Sequence, residues 1–151
     1  VVKPQPMSLD EVVGGALGGL ETSDLPVQIE IADTLPRILA DPALLERVVA
    51  NLVGNAIAWS PIDQPVRIEA GRVGDRVHLR VVDRGPGIPM DARDRVFQPF
   101  QRLGDSPNGA GVGLGLAVAR GFVDAMDGDL IIDDTPGGGT TMTISLPTVI
   151  E

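Results

Sequence analysis

Asp83 follows Val77, Leu79 and Val81 at alternate positions, so the period of a strand predicts a carboxylate on the buried face. A charge there is costly unless a donor meets it. Arg84-Gly85-Pro86-Gly87-Ile88 comes next, and its two glycines let backbone or a ligand approach closely. A carboxylate in that setting suits an exocyclic amine such as that of adenine. It suits equally an Asp that caps the turn after a strand. Asn51 and Asn55 lie four apart, on one side of a helix and beside its apolar stripe. Their amide oxygens are ligands for a hard cation such as Mg²⁺; the same spacing serves two boundary asparagines that bond only solvent.

A third segment, Gly109-Ala110-Gly111-Val112-Gly113-Leu114-Gly115-Leu116, runs straight into a helical pattern. Free N–H groups and the positive end of a helix dipole favour phosphate; a flexible loop or a close helix contact would use the same glycines. The dinucleotide pattern G-x-G-x-x-G is missing in every register. Arg102, between the two glycine-rich segments, reads either as a phosphate contact or as a solvated arginine. His78 alternates with the apolar set and belongs on the solvated face, with no catalytic role. Trp59 reads as a helix-end core or rim residue. Asp124, Asp127, Asp129, Asp133 and Asp134 lack EF-hand spacing and read as a solvated acidic face.

Much other chemistry is excluded. Lys3 is the only lysine, which removes a Walker-type phosphate loop and a Schiff-base lysine from the body of the chain. With no Cys and no Tyr there is no thiol, zinc-thiolate, disulfide or tyrosine chemistry. The net charge of −9 gives no footprint for nucleic acid. Zero cysteines fits the cytosol. No apolar run approaches the roughly 18 residues that span a bilayer. The first residue is Val, so the chain reads as a piece of a longer protein.

The elements that must position these residues are legible in outline. Ser8 and Glu11 have capping-box spacing and open a helix to about Leu20. Val27, Ile29 and Ile31 alternate as a half-buried strand, and a short strand follows around 37–40. Asp41-Pro42 is a helix start, with Asp as N-cap and Pro at the first position. Leu44, Leu45, Val48, Val49, Leu52, Val53, Ala56 and Ile57 make its apolar stripe up to Pro61. Strands around 66–70 and 77–81 flank a Gly74-Asp75 turn. A further helix spans about 114–126, and strands near 130–133 and 140–146 flank the turn at 136–139. The expected fold is α+β, a two-layer α/β sandwich with one mixed sheet and helices on a single face.

Taken in order, Asn51-Leu52-Val53-Gly54-Asn55-Ala56, Asp83-Arg84-Gly85-Pro86-Gly87-Ile88, Val96-Phe97-Gln98-Pro99-Phe100 and Gly111-Val112-Gly113-Leu114-Gly115-Leu116 resemble the N, G1, F and G2 boxes of sensor histidine kinase ATP-binding domains. These belong to the wider gyrase, chaperone, histidine kinase and mismatch-repair ATPase superfamily. Asp41–Val48 and Gly113–Ala117 look most like the potassium-responsive Kdp-type sensor kinases. The resemblance implies ATP and Mg²⁺ as cofactors. Asn55 would ligate the metal with Asn51 beside it, and Asp83 would bind the adenine amine in a pocket shaped by Gly85, Gly87 and Ile88. Residues about 98–113 would form a lid from which Arg102 reaches phosphate. Gly111, Gly113, Leu114, Gly115 and Leu116 would provide the lid hinge and a phosphate-facing helix start, and Thr140 would help Asp83 around the base.

The resemblance also implies partners. They are a separate helical dimerisation domain bearing the phosphoacceptor histidine, and a response regulator. Residues 1–7 would be the linker or edge strand from that domain, 8–147 the ATP-binding domain and 148–151 a tail. The setting would be the cytoplasmic side of a membrane-anchored homodimeric kinase, with no membrane contact by this domain and the isolated piece monomeric. Two departures stand out. Ala58 and Trp59 occupy the places where many relatives carry Lys and then Tyr or Phe, so one phosphate contact is missing; this favours an alternative, a nucleotide-sensing module without transfer. A hydrolysing switch of the gyrase or chaperone branch would carry Glu where Asn51 stands, and an asparagine cannot act as its general base.

Overall fold

Asp41-Pro42 opens the helix that carries both asparagines, and the capping is explicit in a computed structural model of the chain. The structure describes residues 2–18, 27–32, 34–61, 63–93, 97 and 115–149. Asp41 Oδ1 accepts the N–H groups of Ala43 (3.1 Å) and Leu44 (3.3 Å), while Oδ2 accepts that of Lys3 (2.9 Å). The Lys3 bond, reinforced by the two capping bonds, holds the Asp41 carboxyl below the usual carboxylate range against the opposing effect of its burial.

The elements run β1 (Gln5–Met7), α1 (Leu9–Gly18), β2 (Val27–Ile31), β3 (Ile38–Ala40), α2 (Pro42–Trp59), β4 (Val66–Val73), β5 (Arg76–Val82), α3 (Gly115–Ala125), β6 (Asp129–Asp134) and β7 (Thr140–Pro147), with one 3₁₀ turn at Met90–Ala92. Five strands form one sheet in the order β2-β4-β5-β7-β6. The β2–β4 pair is parallel and the rest antiparallel, so the sheet is mixed. A parallel pair needs a long crossover, and α2 lies within it. One face of the sheet presents Val66, Ile68, Val77, Leu79, Val81, Met142, Ile144 and Leu146 to the helices. Across the interface α2 buries Leu45, Val48, Val49, Leu52 and Val53 almost completely. Each such side chain contributes about 1.5–3 kcal/mol relative to exposure.

Two features differ from the sequence reading. β1 and β3 form a second, two-stranded sheet, with Gln5 opposite Ala40 and Met7 opposite Ile38, where a single sheet was expected. Three-residue strands are too short to show alternation, so their pairing depends on packing. β2 also fails to alternate: Ile29, expected inward, is 50% exposed, because β2 is an edge strand. α1 ends at Gly18 as described; Leu20 lies outside the described residues.

The opposite face of the sheet carries Arg76, His78 and Arg80 in a row along β5, all half-buried. Burial and the charges of Arg80 and Arg76 push the His78 imidazole below its usual range, so it is neutral at pH 7. Arg76 donates to Ser145 Oγ (2.6 Å) and to the Asp127 carbonyl (2.8 Å). The five aspartates at 124, 127, 129, 133 and 134 are all exposed. Among the described residues no cluster of His, Cys, Asp or Glu could hold a metal, and no helix is long and apolar enough to cross a membrane.

Candidate nucleotide site

The alternation of β5 continues one residue past its end, which is why Asp83 is buried: Val77, Leu79 and Val81 are at most 2% exposed and Asp83 is 7% exposed. Its backbone N–H donates to the Thr140 carbonyl (2.9 Å). In return the Thr140 N–H donates to Asp83 Oδ1 (3.0 Å), and so does the Gly85 N–H (2.9 Å). Both donors fall on one oxygen, and among the described residues none reaches Oδ2. Burial pushes the Asp83 carboxyl up, and the two backbone donors act in the opposite direction. The result is an anchored carboxylate with one oxygen available to a donor on a ligand.

Three backbone segments close on this residue. A Cβ on Gly85 would stand 2.5 Å from the Trp59 carbonyl at the end of α2, so the turn lies flush against that helix. Arg84 N–H donates to Ser60 Oγ (3.3 Å), a second tie to the same end. From the other side, Gly139 (φ +118°) packs so closely that a Cβ there would overlap the Asp83 carbonyl. Arg84 reaches over the β6–β7 turn to donate to the Pro136 carbonyl (2.6 Å). Arg93 likewise joins the Ile88 carbonyl (3.2 Å) to Asp134 (2.6 Å). A groove of about 420 Å³ runs along this flank, lined by Pro86, Gly87, Ile88, Pro89, Asp134, Thr135, Gly138 and Gly139.

Asn55 is buried and donates its Nδ2 to Asn51 Oδ1 (3.3 Å). That bond orients the amide and leaves Asn55 Oδ1 with no donor among the described residues. An oxygen fixed in this way has the chemistry of a Mg²⁺ ligand. Ala58, one turn further on, is 6% exposed, so α2 offers a buried methyl at the place where the family resemblance implies a lysine.

The structure thus brings Asp83, Gly85 and Thr140 into one hydrogen-bonded unit, with Gly87 stacked 3.4 Å (as a Cβ would measure) from the Gly139 carbonyl. Ile88 is half-buried against the core, Leu116 is buried, and Gly115 begins α3. Arg102, Gly111, Gly113, Leu114 and the segment 98–113 expected as a lid lie outside the described residues. Sequence reasoning passed over Gly139, Ser60 and Arg84. The cluster Gly137–Gly139 was visible as a turn, and nothing in its spacing said what would press against it.

The site thus sits on a mixed sheet covered by helices on one side, with a buried carboxylate at a strand end and an asparagine pair on the adjoining helix. Residues 40–150 match the family of histidine kinase-, DNA gyrase B- and HSP90-like ATPases. The chain belongs to that family, as an ATP-binding catalytic domain of the sensor histidine kinase kind. It is 48% identical over 132 residues to the sensor protein KdpD of Mycobacterium tuberculosis, covering 87% of this chain and 15% of that relative. Among solved structures, a mycobacterial sensor histidine kinase, MprB, superposes with a TM-score of 0.84 at 30% identity, covering 97% of this chain and all of that one. Full-length ShkA in complex with AMPPNP matches with a TM-score of 0.78 at 25% identity, covering all of this chain and 33% of that one. The chain spans about a seventh of the KdpD relative's length.

Proposed function

We propose that this domain binds MgATP and presents its γ-phosphoryl group to a histidine on a separate helical dimerisation domain, from which a response regulator takes it. The observation that carries the reading is the Asp83 carboxylate, anchored through Oδ1 and open at Oδ2. In this reading Oδ2 accepts the adenine amino group, Thr140 and Gly87 border the base, and Asn55 Oδ1 ligates the metal while Asn51 holds its amide in place. Mg²⁺, when bound, supplies charge neutralisation between the phosphates. Arg102 and the glycines Gly111 and Gly113, in a proposed lid over about 98–113, complete the phosphate side together with Gly115 at the start of α3. The chain's own contribution to transfer is positioning and electrostatics, with the attacking nitrogen supplied in trans. The resemblance of Asp41–Val48 and Gly113–Ala117 to Kdp-type sensor kinases supports a potassium-linked stimulus and a membrane-anchored, homodimeric whole protein whose catalytic domain faces the cytoplasm.

Calorimetric titration with a non-hydrolysable ATP analogue tests the site. Binding is expected to tighten with Mg²⁺, and Asn55→Ala is expected to erase that difference while leaving Mg²⁺-free binding in place. Equal Mg²⁺ dependence in the variant would remove Asn55 from the metal site. Transfer is tested by mixing the domain with its histidine-bearing segment and labelled MgATP. An acid-labile label on that segment is expected; its absence alongside normal binding would leave a nucleotide-sensing module, the reading that Ala58 favours.

A further inference from the structure

Asp41 joins three parts of the molecule through separate atoms. Its Oδ1 caps α2. Its Oδ2 accepts the Lys3 N–H (2.9 Å), at the point where the β1–β3 ladder, with Gln5 opposite Ala40, runs out. Its own N–H points at the sulfur of Met126 (3.4 Å), the buried residue directly after α3. Along α2, positions 41, 45, 48, 52 and 55 repeat at intervals of four and three and so share one stripe. Every residue on it, Asp41, Leu45, Val48, Leu52 and Asn55, is buried. A helix rises about 1.5 Å per residue, so the cap and Asn55 are the two ends of a packed rod about 20 Å long. Interiors packed at this density transmit small displacements instead of absorbing them.

We propose that Asp41 is a positioning residue that couples the N-terminal segment, residues 2–7, to the nucleotide site, through the Lys3 bond at one end of α2 and Asn55 at the other. The inference rests on the assignment of Asn55 to bound MgATP. Displacing the segment would release Oδ2, loosen the start of α2 and shift the asparagine pair. A protein domain attached ahead of Lys3 would then be able to alter nucleotide affinity without touching the nucleotide.

Chemistry allows the bond to be cut without removing the cap. Asp41→Asn keeps one acceptor oxygen for Ala43 and Leu44, and Asn caps as well as Asp; its amide nitrogen cannot accept from Lys3. Lys3→Pro removes the same bond from the donor side, and Lys3→Ala, which keeps the N–H, serves as its control. With a fluorescent ATP analogue and Mg²⁺, Asp41→Asn and Lys3→Pro are each expected to weaken binding roughly 3- to 10-fold, and the double variant no further, because both remove one contact. Arg72→Ala, which removes a hydrogen bond to the Gly74 carbonyl (2.9 Å) in the β4–β5 hairpin, should lower the melting temperature with unchanged affinity. Affinities that stay at the wild-type value, or losses that add in the double variant, would overturn the coupling. Hydrogen exchange of the nucleotide-free protein separates this from the site assignment. Faster exchange of the 51–59 amides in both variants is expected even if wild-type protein binds no nucleotide, and unchanged exchange there would overturn the coupling in that case.

Discussion

Asp83→Asn is expected to bind an ATP analogue about 10- to 150-fold more weakly than wild type, yet to melt at the same temperature or higher. Both effects come from the same oxygen atoms. A hydrogen bond to a charged partner is worth about 1.5–3 kcal/mol, which gives that range of affinity. In the variant Oδ1 still accepts from Gly85 and Thr140, so the turn keeps its anchors. At the Oδ2 position an NH₂ group would face the adenine amine, donor against donor. Stability moves the other way because burial raises the Asp83 pKa in the folded state. A raised carboxyl contributes stability that is fully present below its unfolded pKa and lost as pH rises through its folded value. Asparagine never ionises, so the variant escapes that loss, and its advantage should grow from acid toward neutral pH. Arg80→Gln, on the opposite face of the sheet, should bind as wild type does. Equal losses from the two variants, measured by titration, would mean that Asp83 does not face the base. An enzyme site that costs stability for function is a common pattern.

How far the sequence revealed this arrangement depended on range. Asp41-Pro42 predicted a capped helix because cap, proline and apolar stripe are local, and the carboxylate does accept from Ala43 and Leu44. Burial of Asp83 followed from alternation along a single strand and was equally legible. The hairpin at Gly74-Asp75 also came from near neighbours, and Val73 does pair with Arg76 across it. Failures occurred where a residue's environment was set by chain far away. Ile29 has the right spacing for an inward side chain, but its exposure depends on β2 lying at the edge of the sheet. The Lys3–Asp41 bond joins residues 38 apart and has no signature in either neighbourhood. Arg84 reaches 52 residues to Pro136, a contact that exists only because two turns meet. The candidate residues were therefore visible as types, whereas the backbone frame around Asp83 was not.

That frame supplies the second large effect. Gly138 and Gly139 are neighbours with nearly the same left-handed backbone, φ +115° and +118°. Alanine at either should cost about 1–3 kcal/mol from the strained conformation alone. Beyond that the two positions differ. A Cβ at Gly138 meets nothing within 4 Å, whereas one at Gly139 would overlap the Asp83 carbonyl and press on Cα of Arg84 at 2.9 Å. Relief requires the two turns to part, which breaks the paired bonds between Asp83 and Thr140 and withdraws a donor from Oδ1. Gly139→Ala should therefore be the more destabilised variant, and it alone should also lose nucleotide affinity. For a chain of this size each kcal/mol is about 2–4 °C, so Gly138→Ala should fall by roughly 2–12 °C and Gly139→Ala by clearly more. Calorimetric melting with parallel titration of the ATP analogue separates the cases. If both alanines fall equally and bind equally, the close approach of the β6–β7 turn does not hold Asp83 in place, and the carboxylate is oriented by Gly85 and α2 alone.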